Sequence, residues 1–139
     1  AKSARGYEIF LLQPNSVSDA IDVAIRENAS IKFEKDKNQY NENQIIATLA
    51  QNSFLKESEK LATFIQVALK KELPKTRNRG IKQAGFHVLV GASMPNLLIE
   101  VGFLTNKSEA QLLNKSYYRA QLAKAIFEGV QEYVESYNY

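Results

Sequence analysis

A chain of 139 residues with 45% hydrophobic and 24% charged side chains can bury a core as one domain, and this composition excludes collagen-like, coiled-coil and disordered classes. The absence of cysteine excludes disulfides, thiolate metal sites and a cysteine nucleophile. The net charge of +3 is small and dispersed, so it does not point to nucleic acid, and no apolar run approaches the roughly 20 residues of a membrane span.

Ala1 to Gly6 reads as a loop that enters a strand abruptly, without a signal peptide, which implies polypeptide before Ala1. Tyr7 to Leu12 is a short aromatic and aliphatic run closed by Gln13-Pro14-Asn15, the pattern of a buried strand. Ser16 or Ser18 can cap a helix over Val17 to Asn28, with Ile21, Ala24 and Ile25 on its inner face. Ser30 to Asn43 is polar and charge-rich and reads as a loop or insertion. A structureless connection of that length is uncommon unless functional or mobile.

Asn41-x-x-Gln44 has the form of a capping box, so a long helix is expected from about Glu42 to Leu73. Its apolar stripe would be Ile46, Leu49, Leu61, Ile65, Ala68 and Leu69, and Pro74 would end it. Thr76 to Ala84 reads as a basic loop turning at Gly80, and Phe86 to Val90 as a second strand. Asn96 to Val101 is a near-continuous apolar run, as expected of a strand covered on both faces. Asn106-x-x-Glu109 is a second capping-box candidate, opening a helix from about Lys107 to Tyr137 with Leu122, Ile126, Val130, Tyr133 and Tyr137 inward. Strands mixed with long amphipathic helices predict an α/β fold, a sheet with covering helices. Three strands are few for helices of that length, so part of the sheet is expected from elsewhere.

Glu100 is the most informative residue. It lies in Leu97-Leu98-Ile99-Glu100-Val101-Gly102-Phe103, where an unpaired buried carboxylate costs several kcal/mol. At the C-terminal end of a strand it would reach the crevice where open α/β sheets bind ligands, with a raised pKa suited to general acid–base chemistry. The alternative is an edge position, or a pairing with Arg79 or Lys82. Arg77, Arg79 and Lys82, with Asn78 and Gln83, form a basic cluster that either grips a carboxylate or faces solvent. His87 is the single histidine and reads as a strand residue without a metal role, since one histidine without cysteine cannot build a histidine-rich zinc site. Ser93 lacks both a nucleophile-elbow motif and a second histidine to act as base.

From Asn78 onward the chain resembles the zinc-dependent N-acetylmuramoyl-L-alanine amidases that cut peptidoglycan. The resemblance rests on Asn78-Arg79-Gly80-Ile81-Lys82-Gln83-Ala84-Gly85-Phe86-His87-Val88-Leu89 and on Ser93 through Asn106, which contains Ile99-Glu100-Val101-Gly102-Phe103-Leu104-Thr105. Ala4-Arg5-Gly6-Tyr7-Glu8-Ile9-Phe10 is similar to the strand after the family's last zinc histidine. Arg26 to Ala29 and Ala123 to Val130 match further stretches.

The resemblance implies the C-terminal portion of a three-layer amidase domain spanning residues 1–139. It implies Glu100 as catalytic carboxylate, and Arg79, Lys82 and Gln83 as substrate contacts. No metal ligand is expected within the chain; a zinc cofactor would be held by two histidines and a glutamate upstream of Ala1. The implied partners are peptidoglycan or muropeptides and an activator protein, with neither nucleic acid nor a membrane span. The implied location is the periplasm, cell envelope or exterior. Two other readings remain: a non-catalytic wall-binding or regulatory module, and a fragment that completes its sheet with another chain.

Overall fold

The computed structural model describes residues 3–12, 40–85, 89 and 94–137, with backbone alone for 40–53. Strand β1 (Tyr7–Leu12) is buried at every position, as expected for a strand covered on both faces. Helix α1 (Tyr40–Glu72) follows, then β2 (Asn78–Ala84), β3 (Leu98–Glu100), α2 (Lys107–Leu113) and α3 (Ser116–Glu135). The three strands form one sheet in the order β2-β1-β3, so β1 is central. The protein is therefore mixed α/β, and no described helix is long and apolar enough to cross a membrane.

Contacts divide the chain into two units. One comprises Ala1–Ile9, Glu59–Ile81 and Ile99–Tyr139; the other comprises Phe10–Ser58 and Lys82–Leu98. In the first, Ala62, Ile65, Ala68 and Leu69 are buried along α1, Leu73 just beyond its end, and Tyr118, Leu122 and Ala125 along α3. The two helices approach closely at Gly129, where an added Cβ would stand 2.5 Å from Ile65 Cα. Edge-on ring contacts join Phe64 to Tyr133 and Tyr133 to Tyr137, at centroid separations of 6.4 and 5.3 Å. In the second unit Phe10, Leu12, Ala84 and Leu89 form a buried cluster, with Leu98 packed against it. There the Ser58 hydroxyl donates to Phe54 O at 2.9 Å and accepts from Asn96 N–H at 3.0 Å, which satisfies a buried polar group.

Several sequence expectations need correction. The stretch read as a basic loop after Thr76 is strand β2 from Asn78 onward. It is a polar strand at the edge of the described sheet, with mixed exposure along its length, so it carries no apolar run to betray it. Gly80 nevertheless departs from extended backbone, with φ of +93°, and its N–H is held by Asn78 Oδ1 at 2.9 Å.

The strand expected at Asn96–Val101 is shorter, Leu98–Glu100. The closing helix is two helices. Lys115 is extended (φ −82°, ψ 123°), and Arg119 Nη1 caps the end of α2 by donating to Leu113 O at 2.7 Å. The buried face of α3 is Tyr118, Leu122, Ala125 and Gly129; Val130 and Tyr137 are exposed.

Helix α1 begins at Tyr40, so Asn41 lies within it rather than capping it, and the expected loop ends earlier than Asn43. Residues 30–39 of that loop, the helix expected at Val17–Asn28, and most of the strand expected at Phe86–Val90, His87 included, lie outside the described residues. Ile46 and Leu49 lie where only backbone is described.

Candidate functional site

β3 is too short to bury itself fully, and all three of its residues are half-buried. Glu100 is its last residue. It therefore sits where an apolar strand gives way to the loop 101–105, and it is neither sealed in the core nor fully in solvent.

That loop is fixed by Glu109. The Glu109 side chain is buried, and its Oε2 accepts from Phe103 N–H at 3.3 Å and from Gly6 N–H at 3.0 Å. The second capping box thus forms only in half. Asn106 Oδ1 accepts from Ser108 N–H and Glu109 N–H as an N-cap should, while Glu109 reaches to other segments instead of back to the cap. Asn106 Nδ2 donates to Ala4 O at 3.0 Å, which ties the start of α2 to the entry of β1.

A second carboxylate, Glu8, is buried on β1. Arg79 Nε of β2 donates to Glu8 Oε2 at 3.0 Å, and the same guanidinium lies 5.0 Å from the centroid of the Phe103 ring. The pairing answers the desolvation cost of a buried carboxylate. Neither Glu8 nor Glu109 was singled out from sequence. Glu8 gives the same signal as Glu100, an acid inside an apolar strand; Glu109 is visible only as a cap position.

Of the expected substrate contacts, Arg79 is held by Glu8, with its side chain 25% exposed. Lys82 and Gln83 are exposed on successive residues of β2, so their side chains leave opposite faces of the strand. Lys82 Nζ stands 5.8 Å from the Phe10 ring centroid. Ser93 and His87 lie outside the described residues.

The backbone next to Glu109 is equally constrained. Tyr7 N–H donates to Arg77 O at 3.0 Å, and Gly6 has φ of +100°; a Cβ at Gly6 would collide with the Arg77 carbonyl. Beside this junction is a cavity of about 470 Å³ lined by Arg5, Lys75, Thr76, Arg77, Ser108 and Glu109 among others; Glu100 is not part of its lining. Among the described residues no three His, Asp or Glu side chains gather as a metal site.

Comparison with known proteins fits this arrangement into a wider set. The family model for N-acetylmuramoyl-L-alanine amidase matches residues 1–132. The N-acetylmuramoyl-L-alanine amidase AmiA of Escherichia coli is 35% identical over 138 residues, which cover 94% of this chain and 46% of AmiA. The germination-specific N-acetylmuramoyl-L-alanine amidase of Bacillus subtilis is 39% identical over 77 residues, covering 55% of this chain and 32% of that protein. Among solved structures, an N-acetylmuramoyl-L-alanine amidase from Clostridium difficile 630 superposes with a TM-score of 0.62 at 28% identity, over 97% of this chain and 51% of that one. The CwlD amidase of Clostridioides difficile, in complex with the GerS lipoprotein, gives a TM-score of 0.62 at 26% identity, over 98% and 49% of the two chains. The chain spans about half the length of these solved amidases and less than half of the curated relatives. With the family model covering nearly all of it, the chain belongs to the N-acetylmuramoyl-L-alanine amidase family.

Proposed function

We propose that the protein carrying this chain hydrolyses peptidoglycan at the amide bond between N-acetylmuramic acid and L-alanine, with Glu100 as the catalytic carboxylate. The observation that carries this reading is the position of Glu100: half-buried, last in an apolar strand, within the stretch matched by the amidase family. A carboxylate so placed can take a proton from an attacking water and return it to the leaving amine, work worth about 10²- to 10⁴-fold in rate.

Members of the family are generally zinc-dependent. Zinc would supply Lewis-acid polarisation of the scissile carbonyl. The described residues do not make a zinc centre by themselves, so the chemistry assigned to them is confined to Glu100. Arg79, Lys82 and Gln83 are proposed to contact substrate near β2, Arg79 from a position already set by Glu8. The relatives include proteins named as cell wall amidases, and the proposed place of action is the cell envelope outside the cytoplasm. An activator protein is proposed as partner by analogy with the neighbour bound to a lipoprotein.

The test is release of soluble muropeptides from purified cell walls by the whole protein. Glu100→Gln is expected to lower the rate at least about 100-fold while leaving the thermal midpoint near its original value. Turnover within a few-fold of the parent would reject the role of Glu100, and an inactive parent supplied with zinc would reject the reaction.

A further inference from the structure

The cavity beside Gly6 has features the hydrolytic reading does not use. Three cations line it: Arg5 from the entry to β1, and Lys75 and Arg77 from the turn between α1 and β2. Among the described residues none of these three side chains makes an ion pair or hydrogen bond. The carboxylate in the lining, Glu109, is already engaged by two backbone N–H groups. Like charges gathered in one concave site raise each other's energy, and an anionic ligand relieves that repulsion.

The frame around the cations is rigid. The segment holding Arg5 and Gly6 is tied to Arg77 O through Tyr7 N–H at 3.0 Å, to Asn106 through Ala4 O at 3.0 Å, and to Glu109 through Gly6 N–H at 3.0 Å. Thr76 N–H closes the turn onto Leu73 O at 3.0 Å. The cationic side chains thus project from a pre-formed backbone, which lowers the ordering cost of binding.

We propose that this cavity is a binding site for a short acidic peptide, held through its carboxylates by Arg5, Lys75 and Arg77. Guanidinium groups recognise carboxylates in bidentate fashion, and two of them with an ammonium suit a ligand with more than one oxyanion group. The volume, about 470 Å³, lies in the range of small-ligand pockets and is far larger than a single inorganic anion needs. Thr76 and Ser108 add hydroxyls for a peptide backbone, and Pro74 and Leu112 add apolar wall. The choice of peptide over another oxyanion rests on the amidase reading, since the stem peptides of a cell wall carry free carboxylates; the anion site itself does not depend on it.

The experiment is calorimetric titration of the whole protein, carrying Glu100→Gln so that no turnover interferes. The probes are N-acetyl-Ala-Glu with two carboxylates, N-acetyl-Ala-Gln with one, and inorganic phosphate. N-acetyl-Ala-Glu is expected to bind at least roughly tenfold more tightly than either other probe, and to weaken as salt rises. Arg5→Gln combined with Arg77→Gln should weaken it at least about tenfold with an unchanged thermal midpoint. Lys75→Gln, at an exposed turn position, gives the same test with less risk to folding and should also weaken it.

Equal binding of the two peptides, indifference to all three substitutions, or no binding overturns the proposal. Phosphate binding as tightly as the acidic peptide overturns the peptide assignment in favour of an inorganic-anion site. Wall hydrolysis by the protein with native Glu100 is measured in parallel. Peptide binding without hydrolysis rejects the amidase reading alone, and hydrolysis without peptide binding rejects this site alone.

Discussion

Replacing Glu109 with alanine would leave the N–H groups of Gly6 and Phe103 without an acceptor in a largely dry place. Each unsatisfied group costs about 1–3 kcal/mol, so the expected loss for the two is about 2–6 kcal/mol. Glu109→Gln keeps an oxygen in reach and should cost about 1 kcal/mol, a contrast read by urea denaturation. Equal losses for the two substitutions would mean that packing, not the acceptor, matters there.

Tyr7 presents the opposite case. Its ring is buried at 1% exposure, and among the described residues its hydroxyl has no hydrogen-bond partner. Tyr7→Phe removes an orphaned polar group and is expected to leave stability unchanged or raise it by up to about 1 kcal/mol. Burial also pushes the Tyr7 phenol above its ordinary value of 10.0. Below that value the phenol is protonated whether the chain is folded or not. Above it the unfolded chain ionises first, so stability falls as pH rises through about 10 and beyond. The decline between pH ~9 and pH ~11 should be shallower in Tyr7→Phe, as read from denaturation midpoints at the two pH values. Equal slopes would rule out a titrating Tyr7.

At the scale of elements, the packing of α3 on α1 depends on a residue with no side chain. An alanine Cβ at Gly129 would stand 2.5 Å from Ile65 Cα and 2.9 Å from Ile65 N, backbone atoms that cannot swing aside. Alanine gains about 1 kcal/mol of helix propensity over glycine, but overpacking of this kind costs about 1–3 kcal/mol or more. Gly129→Ala is therefore expected to destabilise by about 1–2 kcal/mol net, lowering the thermal midpoint by several degrees. A rise in the midpoint would show that the helices separate at little cost.

This contact also explains where sequence reading succeeded and failed. Periodicity of large apolar residues placed Leu122, Ile65 and Leu69 inward but ran α2 and α3 together as one helix. It could not see Ala62, Ala125 or Gly129, because small residues give close approach without a strong hydrophobic signal, and so it rotated the buried face of α3 toward Val130 and Tyr137. β2 was missed because Asn78-Arg79-Gly80-Ile81-Lys82-Gln83-Ala84 has the composition of a loop; it becomes a strand by pairing with β1. Of the site, the acid at the end of β3 stood out by its apolar neighbours. The Glu8–Arg79 pair and the Glu109 brace depend on contacts between distant segments, which no local pattern encodes.

For the molecule as a whole, the family assignment and the described residues make a separable prediction about metal and carboxylate. The chain spans 46% of AmiA and 51% of a solved amidase. The role proposed for Glu100 is that of a proton carrier, with the zinc held by other residues. Loss of its carboxylate should then stop proton transfer without releasing zinc. In the whole protein, metal analysis of Glu100→Gln is expected to give the same zinc content as the parent, while wall hydrolysis falls at least about 100-fold. Chelation should remove both zinc and hydrolysis from the parent, and added zinc should restore both. If Glu100→Gln instead loses zinc in proportion to activity, the carboxylate is a ligand rather than a proton carrier. The loop braced by Glu109 would then be holding part of a metal centre.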